Sequence, residues 1–166
     1  MMAFSHMLVP TDFGEASEEA IEVAIGLAAK LEAKITLLHS FDLSYPLIYA
    51  NGFYVPMAEV VRQAQSVLRG HLTRVQERHA NTQALFTRGE PWRHILHCAE
   101  NGVADVIIMG THGRPNMSRF LLGSTAEKVV RLSSVPVLTV SPRPLDRPAS
   151  AVSSKSNPVE ARATAR

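Results

Sequence analysis

Val106-Ile107-Ile108-Met109-Gly110-Thr111-His112-Gly113-Arg114, followed at fixed distance by Gly123-Ser124-Thr125-Ala126-Glu127, is the stretch on which the rest of the chain is organised. The apolar run reads as a buried strand, and the residues from Ser124 onward carry the pattern of an amphipathic helix. The glycines therefore stand where a sheet hands the chain to a helix. Glycine brings no Cβ between the backbone and a ligand, and the first N–H groups of the following helix lack intrahelical partners, so such a junction suits phosphate. Ser124 and Thr125 add short hydroxyl donors at the same end. The same letters also spell an S-x-x-E capping box, in which Ser124 caps its own helix and Gly123 supplies a turn. Both readings stand on the sequence.

Working outward, the chain repeats one unit. A short apolar strand, Met7-Leu8-Val9, leads through Pro10-Thr11-Asp12-Phe13-Gly14-Glu15 into a helix over 16–31. That helix has Ala20, Ile21, Ala24, Leu27, Ala28 and Leu31 at helical spacing and an acidic first turn that suits the helix dipole. A strand over 34–39 is apolar on both faces, as in a sheet covered above and below. Residues 42–57 interrupt the rhythm with Pro46, Gly52 and Pro56 among Tyr45, Tyr49, Phe53 and Tyr54, which reads as an aromatic loop. A helix over 58–80, a strand over 82–88, a helix opened by Pro91 and stopped at Asn101-Gly102, and a strand over 104–109 follow. A helix over 124–132 and a strand over 135–140 close the series. Strict alternation of this kind means an α/β protein with an open, doubly wound parallel sheet and right-handed crossovers.

The 166 residues fit one domain, and 46% hydrophobic with 19% charged residues is ordinary globular composition. No apolar run reaches the roughly 20 residues of a membrane helix, and no signal-type segment opens the chain, so a cytoplasmic protein with no membrane partner is expected. The lone Cys98 sits in an apolar helical context and reads as a buried, inert thiol. Five basic against two acidic residues give the segment 142–166 a charge of +3, which leaves the body at −1. That segment, rich in Pro, Ser and Ala, reads as a disordered basic tail behind a domain over 1–141. A body so close to neutral gives no reason to expect nucleic-acid binding.

Gly110-x2-Gly113-x9-Gly123-Ser124, with Pro10-Thr11-Asp12 after the first strand and Leu37-Leu38-His39 on the second, resembles the nucleotide-binding branch of the universal stress protein family over residues 3–141. The resemblance implies a five-stranded parallel sheet in the order 3-2-1-4-5, Rossmann-like and akin to the adenine nucleotide alpha hydrolases, with two helices on each face. Ligands of such sheets bind at the switch point, here between strands one and four. It further implies ATP across that crevice. Pro10, Thr11 and Asp12 would meet adenine and ribose, Met109, Gly110 and Gly113 the ribose and α-phosphate region, and Arg114 the phosphates. Gly123, Ser124 and Thr125 would take the outer phosphates. Magnesium or manganese is expected on the phosphates, held mainly by nucleotide and water. His39 borders the crevice as a structural group at the strand end, and His112 shapes the loop. Ser40 stands where relatives carry an aliphatic residue against adenine. Apart from the resemblance, Asp12 also reads as an N-cap of the first helix, with Glu15 completing a box.

The function expected is an adenine-nucleotide-binding stress or signalling module acting as a homodimer. The family pairs through its last strand, here 135–141, and an apolar edge strand invites such pairing. Two other classes stay open: a slow ATPase or self-phosphorylating enzyme, against which the loop lacks a GxxxxGK pattern, and a nucleotide-free interaction scaffold working through the aromatic loop. His94, His97 and Cys98 lie on one helix at a spacing that suggests metal, but without a distant fourth ligand.

Overall fold

A computed structural model describes residues 4–41, 56–111 and 122–142 of the chain. His112, Gly113 and Arg114, most of the aromatic loop, and all but the first residue of the tail lie outside the described residues. The elements run β1 (His6–Pro10), α1 (Glu15–Leu31), β2 (Lys34–Phe41), α2 (Met57–Gln76), β3 (Thr82–Arg88), α3 (Pro91–Glu100), β4 (Val106–Gly110), α4 (Ser124–Leu132) and β5 (Val137–Val140). The five strands are parallel, in the order β3-β2-β1-β4-β5.

Alternation along the strands divides the core in two. Met7, Val9, Ile35, Leu37, Val106 and Ile108 face α1 and α2, where they meet Ala20, Ile21, Ala24, Ala28, Leu68 and Val75. Leu8, Leu38, Ile107 and Met109 face the other way, onto Ile95, Cys98 and Ala99 of α3 and Ala126 and Val129 of α4. The alanines at every fourth position of α1 keep that helix close to the sheet. On the surface, Arg74 of α2 pairs with Glu18, and Arg78, in the turn just after α2, makes two hydrogen bonds to Glu22, at 2.6 and 2.9 Å, so α2 and the turn that ends it are tied to α1. These half-exposed arginines behave as a solvated face.

The topology opens a crevice at one place. β1 and β4 are in register only at Met7↔Val106 and Leu8↔Ile107. Beyond that point the Thr11 N–H donates to Leu38 O (2.8 Å) and the Thr111 N–H donates to Val140 O (2.9 Å). One strand follows its β2 neighbour and the other its β5 neighbour, so the sheet parts between them at its carboxyl end.

Candidate functional site

The turn after β1 is built by three hydroxyl or carboxylate side chains. Thr11 is buried, and its Oγ1 accepts the Phe13 N–H (3.0 Å). Asp12 Oδ1 accepts the Gly14 N–H (3.0 Å) and the Ser17 hydroxyl (2.9 Å). The N-cap of α1 is Gly14, with no side-chain cap bond, so Asp12 organises the turn as an Asx-type acceptor rather than capping the helix. Phe13 is forced to a left-handed φ of 63°, which for an aromatic residue costs energy. Its ring stacks on His39 at 4.3 Å between centroids, at an interplanar angle of 26°.

His39 stands at the β2 end as expected of a structural group. Its Nδ1 donates to Thr11 O (2.8 Å), which fixes the tautomer. Burial holds its pKa below the ordinary 6.5, against the opposing pull of the Thr11 carbonyl and Asp12. The ring is neutral near pH 7, with the Nε2 lone pair available. Next to it, the Ser40 hydroxyl donates to Gly89 O (2.8 Å) and so clamps the turn that leads into α3 against the end of β2.

On the β4 side, the glycine at 110 answers to packing. A Cβ there would lie 2.7 to 2.9 Å from the carbonyl carbon, Cβ and oxygen of Ala16. The first turn of α1, and not only a ligand, excludes a side chain. Thr111 is buried, and its carbonyl accepts the Gly123 N–H (2.8 Å), so the two ends of the intervening segment are clasped together. Gly123 is the N-cap of α4 and makes no side-chain cap bond. The capping box read from Ser124 and Glu127 is therefore not formed. The first helical bond is Glu127 N–H to Gly123 O (2.9 Å), which leaves the N–H groups of Ser124, Thr125 and Ala126 without intrahelical partners.

These pieces line one cleft of about 450 Å³. Of the residues named from the sequence, Pro10, Thr11, Asp12, His39, Ser40, Met109, Gly110, Gly123, Ser124 and Thr125 border it. So do Ser17, Leu38, Pro91, Ile95, Thr111 and Ala126, which the sequence reading does not assign to the site. Ser17 follows Asp12 by five residues, in the first turn of α1, a spacing that by itself does not announce a contact. The cleft has three kinds of lining group. At α4 there are N–H groups without intrahelical partners and two hydroxyls, which suit an anion. The lining also holds Asp12, the one carboxylate among the described lining residues, and the apolar residues Leu38, Pro91, Ile95 and Met109, of which Leu38, Ile95 and Met109 share a core cluster with Ala126 of α4. His94, His97 and Cys98 do not converge: His94 bonds to Arg88 O (2.8 Å), His97 to Asn101, and Cys98 is buried, which pushes its thiol pKa up. Among the described residues no group of three or more His, Cys, Asp or Glu side chains is positioned to hold a metal, and no helix is long and apolar enough to cross a membrane.

Comparison with known proteins agrees with this architecture. The universal stress protein MJ0531 of Methanocaldococcus jannaschii is 30% identical over 139 residues, covering 82% of each chain. The solved structure of MJ0577, from the same organism, is 25% identical and superposes with a TM-score of 0.70 over 86% of this chain and 99% of its own. A universal stress protein solved in complex with cAMP is 23% identical, with a TM-score of 0.64 over 86% of this chain and 100% of its own, a likeness of fold. Residues 3–141 match the universal stress protein family as a whole, and the chain belongs to that family.

Proposed function

We propose that the protein is a stress-response module that binds an adenine nucleotide, ATP in the first place, in the cleft between β1 and β4, and that it works as a homodimer through the β5 edge. One observation carries the binding reading: the uncapped first turn of α4 and the Asp12 carboxylate meet across a single cleft. A nucleotide needs an anion site, an acceptor for ribose hydroxyls and an apolar surface for the base. The lining of the one cleft holds all three kinds of group. The complex of a protein of this fold with cAMP supports the ligand class. Magnesium or manganese would ride on the phosphates and water, since Asp12 is the one carboxylate of the described lining.

Titration calorimetry with ATP, ADP and cAMP, each with and without magnesium, tests the reading. Stoichiometric binding is expected, with thermal stabilisation of about 2.7 kcal/mol at a ligand concentration one hundred times Kd. Gly123→Val, which adds bulk at the α4 entrance, is expected to abolish it. Absence of both heat and stabilisation in the native chain would leave the cleft a structural crevice and return the protein to the scaffold class.

A further inference from the structure

Ser17 lies inside the first turn of α1, only 4% exposed, yet its hydroxyl is in contact with Asp12, the one carboxylate among the described residues of the cleft lining. Its Oγ is 2.9 Å from Asp12 Oδ1, 2.8 Å from Gly14 O and 3.2 Å from Thr11 Oγ1. One proton thus serves two acceptors, and the ionised carboxylate is the stronger of them. Thr11 Oγ1 is already an acceptor for the Phe13 N–H, so its own proton is free for Ser17. The bonds then run in one direction, from the Phe13 amide to Thr11, from Thr11 to Ser17 and from Ser17 to Asp12. Donors arranged in such a chain polarise one another.

The chain ends on one oxygen. Both bonds that the turn gives Asp12, from Gly14 and from Ser17, fall on Oδ1, and Oδ2 has no partner among the described residues. The Gly14 bond alone makes an Asx-type turn, about which the carboxylate plane can still rotate. A second donor that is buried and approaches from the helix fixes that plane. Asp12 is otherwise exposed, so without the second anchor its side chain would be free to swing into solvent.

We infer that Ser17 is the positioning residue for ligand recognition at Asp12: by holding Oδ1 it presents Oδ2 to the hydroxyls of a ribose, so that ribonucleotides are selected over their deoxy forms. The inference rests on the nucleotide reading above and adds the residue that makes the sugar contact selective.

The test compares Kd values for ATP, 2′-deoxy-ATP and 3′-deoxy-ATP in the full chain and in Ser17→Ala and Ser17→Thr. In the native protein at least one deoxy analogue is expected to bind roughly fivefold more weakly than ATP, the usual order for a lost hydrogen bond to a charged group. Ser17→Ala is expected to bring that ratio close to one, and Ser17→Thr, which keeps the hydroxyl, to restore it. Should Ser17→Ala not fold, the near-isosteric and weakly donating Ser17→Cys carries the same expectation. A merely structural serine would weaken all three nucleotides alike and leave the ratio intact, which overturns the inference. Equal binding of all three by the native chain overturns it as well. Failure of the native chain to bind any of them is a different result, and it removes the nucleotide reading itself.

Discussion

A β-carbon on residue 110 would meet the backbone of Ala16 at 2.7 Å, a distance that no flexible side chain is there to relieve. Gly110→Ala is therefore expected to destabilise the ligand-free protein by about 1–3 kcal/mol through overpacking, measured as a lower urea midpoint. A glycine kept only for a ligand would show no such loss. His39 gives a second residue-level expectation. Burial lowers its pKa from 6.5, and burial followed by the nearby Lys34 lowers that of His6. The unfolded chain then binds more protons than the fold as pH drops below 6.5. The stability these groups provide is complete above that pH and is lost as pH falls towards the depressed folded values. Thermal melts at pH 7.5 and 5.5 should show this fall, and His39→Gln should shrink it; an unchanged fall would assign the effect elsewhere. The residue scale was also where the sequence was least legible. Gly110 can be read from its place where a strand meets a helix, and Asp12 through the family resemblance, but the letters do not tell that Ser17 bonds Asp12 or that Ala16 is what crowds Gly110, because both are contacts across a turn or between elements.

Helix α4 shows how an element can be legible in extent and misread in detail. Its bounds, Ser124–Leu132, follow from the apolar period, yet Ser124 takes the first helical position instead of the cap. Ser124→Ala is accordingly expected to change the stability of the ligand-free protein by less than about 0.5 kcal/mol, where loss of a true cap would cost about 1 kcal/mol. Chemical denaturation separates the two. At the other end of α1, Glu32 is held at a left-handed φ of 55°. Glycine accepts that conformation without the Cβ penalty, so Glu32→Gly should stabilise the fold by about 0.5–1 kcal/mol, visible as a raised Tm. Strand and helix ends moved where side chains or proline intervened. β5 starts at Val137 because Pro136 has no N–H to give, although its carbonyl still accepts from Ile107 (3.0 Å). α2 stops at Gln76, short of residue 80, where Gln76 donates to Thr82 O (2.8 Å) and Thr82 to His79 O (2.7 Å), turning the chain into β3.

For the whole molecule, strict alternation of strand and helix made the layers legible, and the order of the strands then places β1 beside β4. What alternation cannot decide is how the two edges of the sheet are used. β3 ends on Arg88 and carries Gln83, polar groups that blunt an edge. β5 is short and mostly apolar, with Leu138 41% exposed, and the adjoining α4 leaves Val130 at 45% and Leu132 at 50%. The proposed homodimer would cover these side chains with a second copy. In a twofold dimer each substitution acts twice, once from each side of the axis. Leu138→Lys is therefore expected to convert a dimer of the native chain into a monomer at micromolar concentration, read by sedimentation velocity. Because Leu138 lies outside the cleft lining, the monomer should keep the nucleotide affinity of the native protein. A native chain that sediments as a monomer removes the dimer, and a Leu138→Lys variant that stays dimeric moves the contact away from β5.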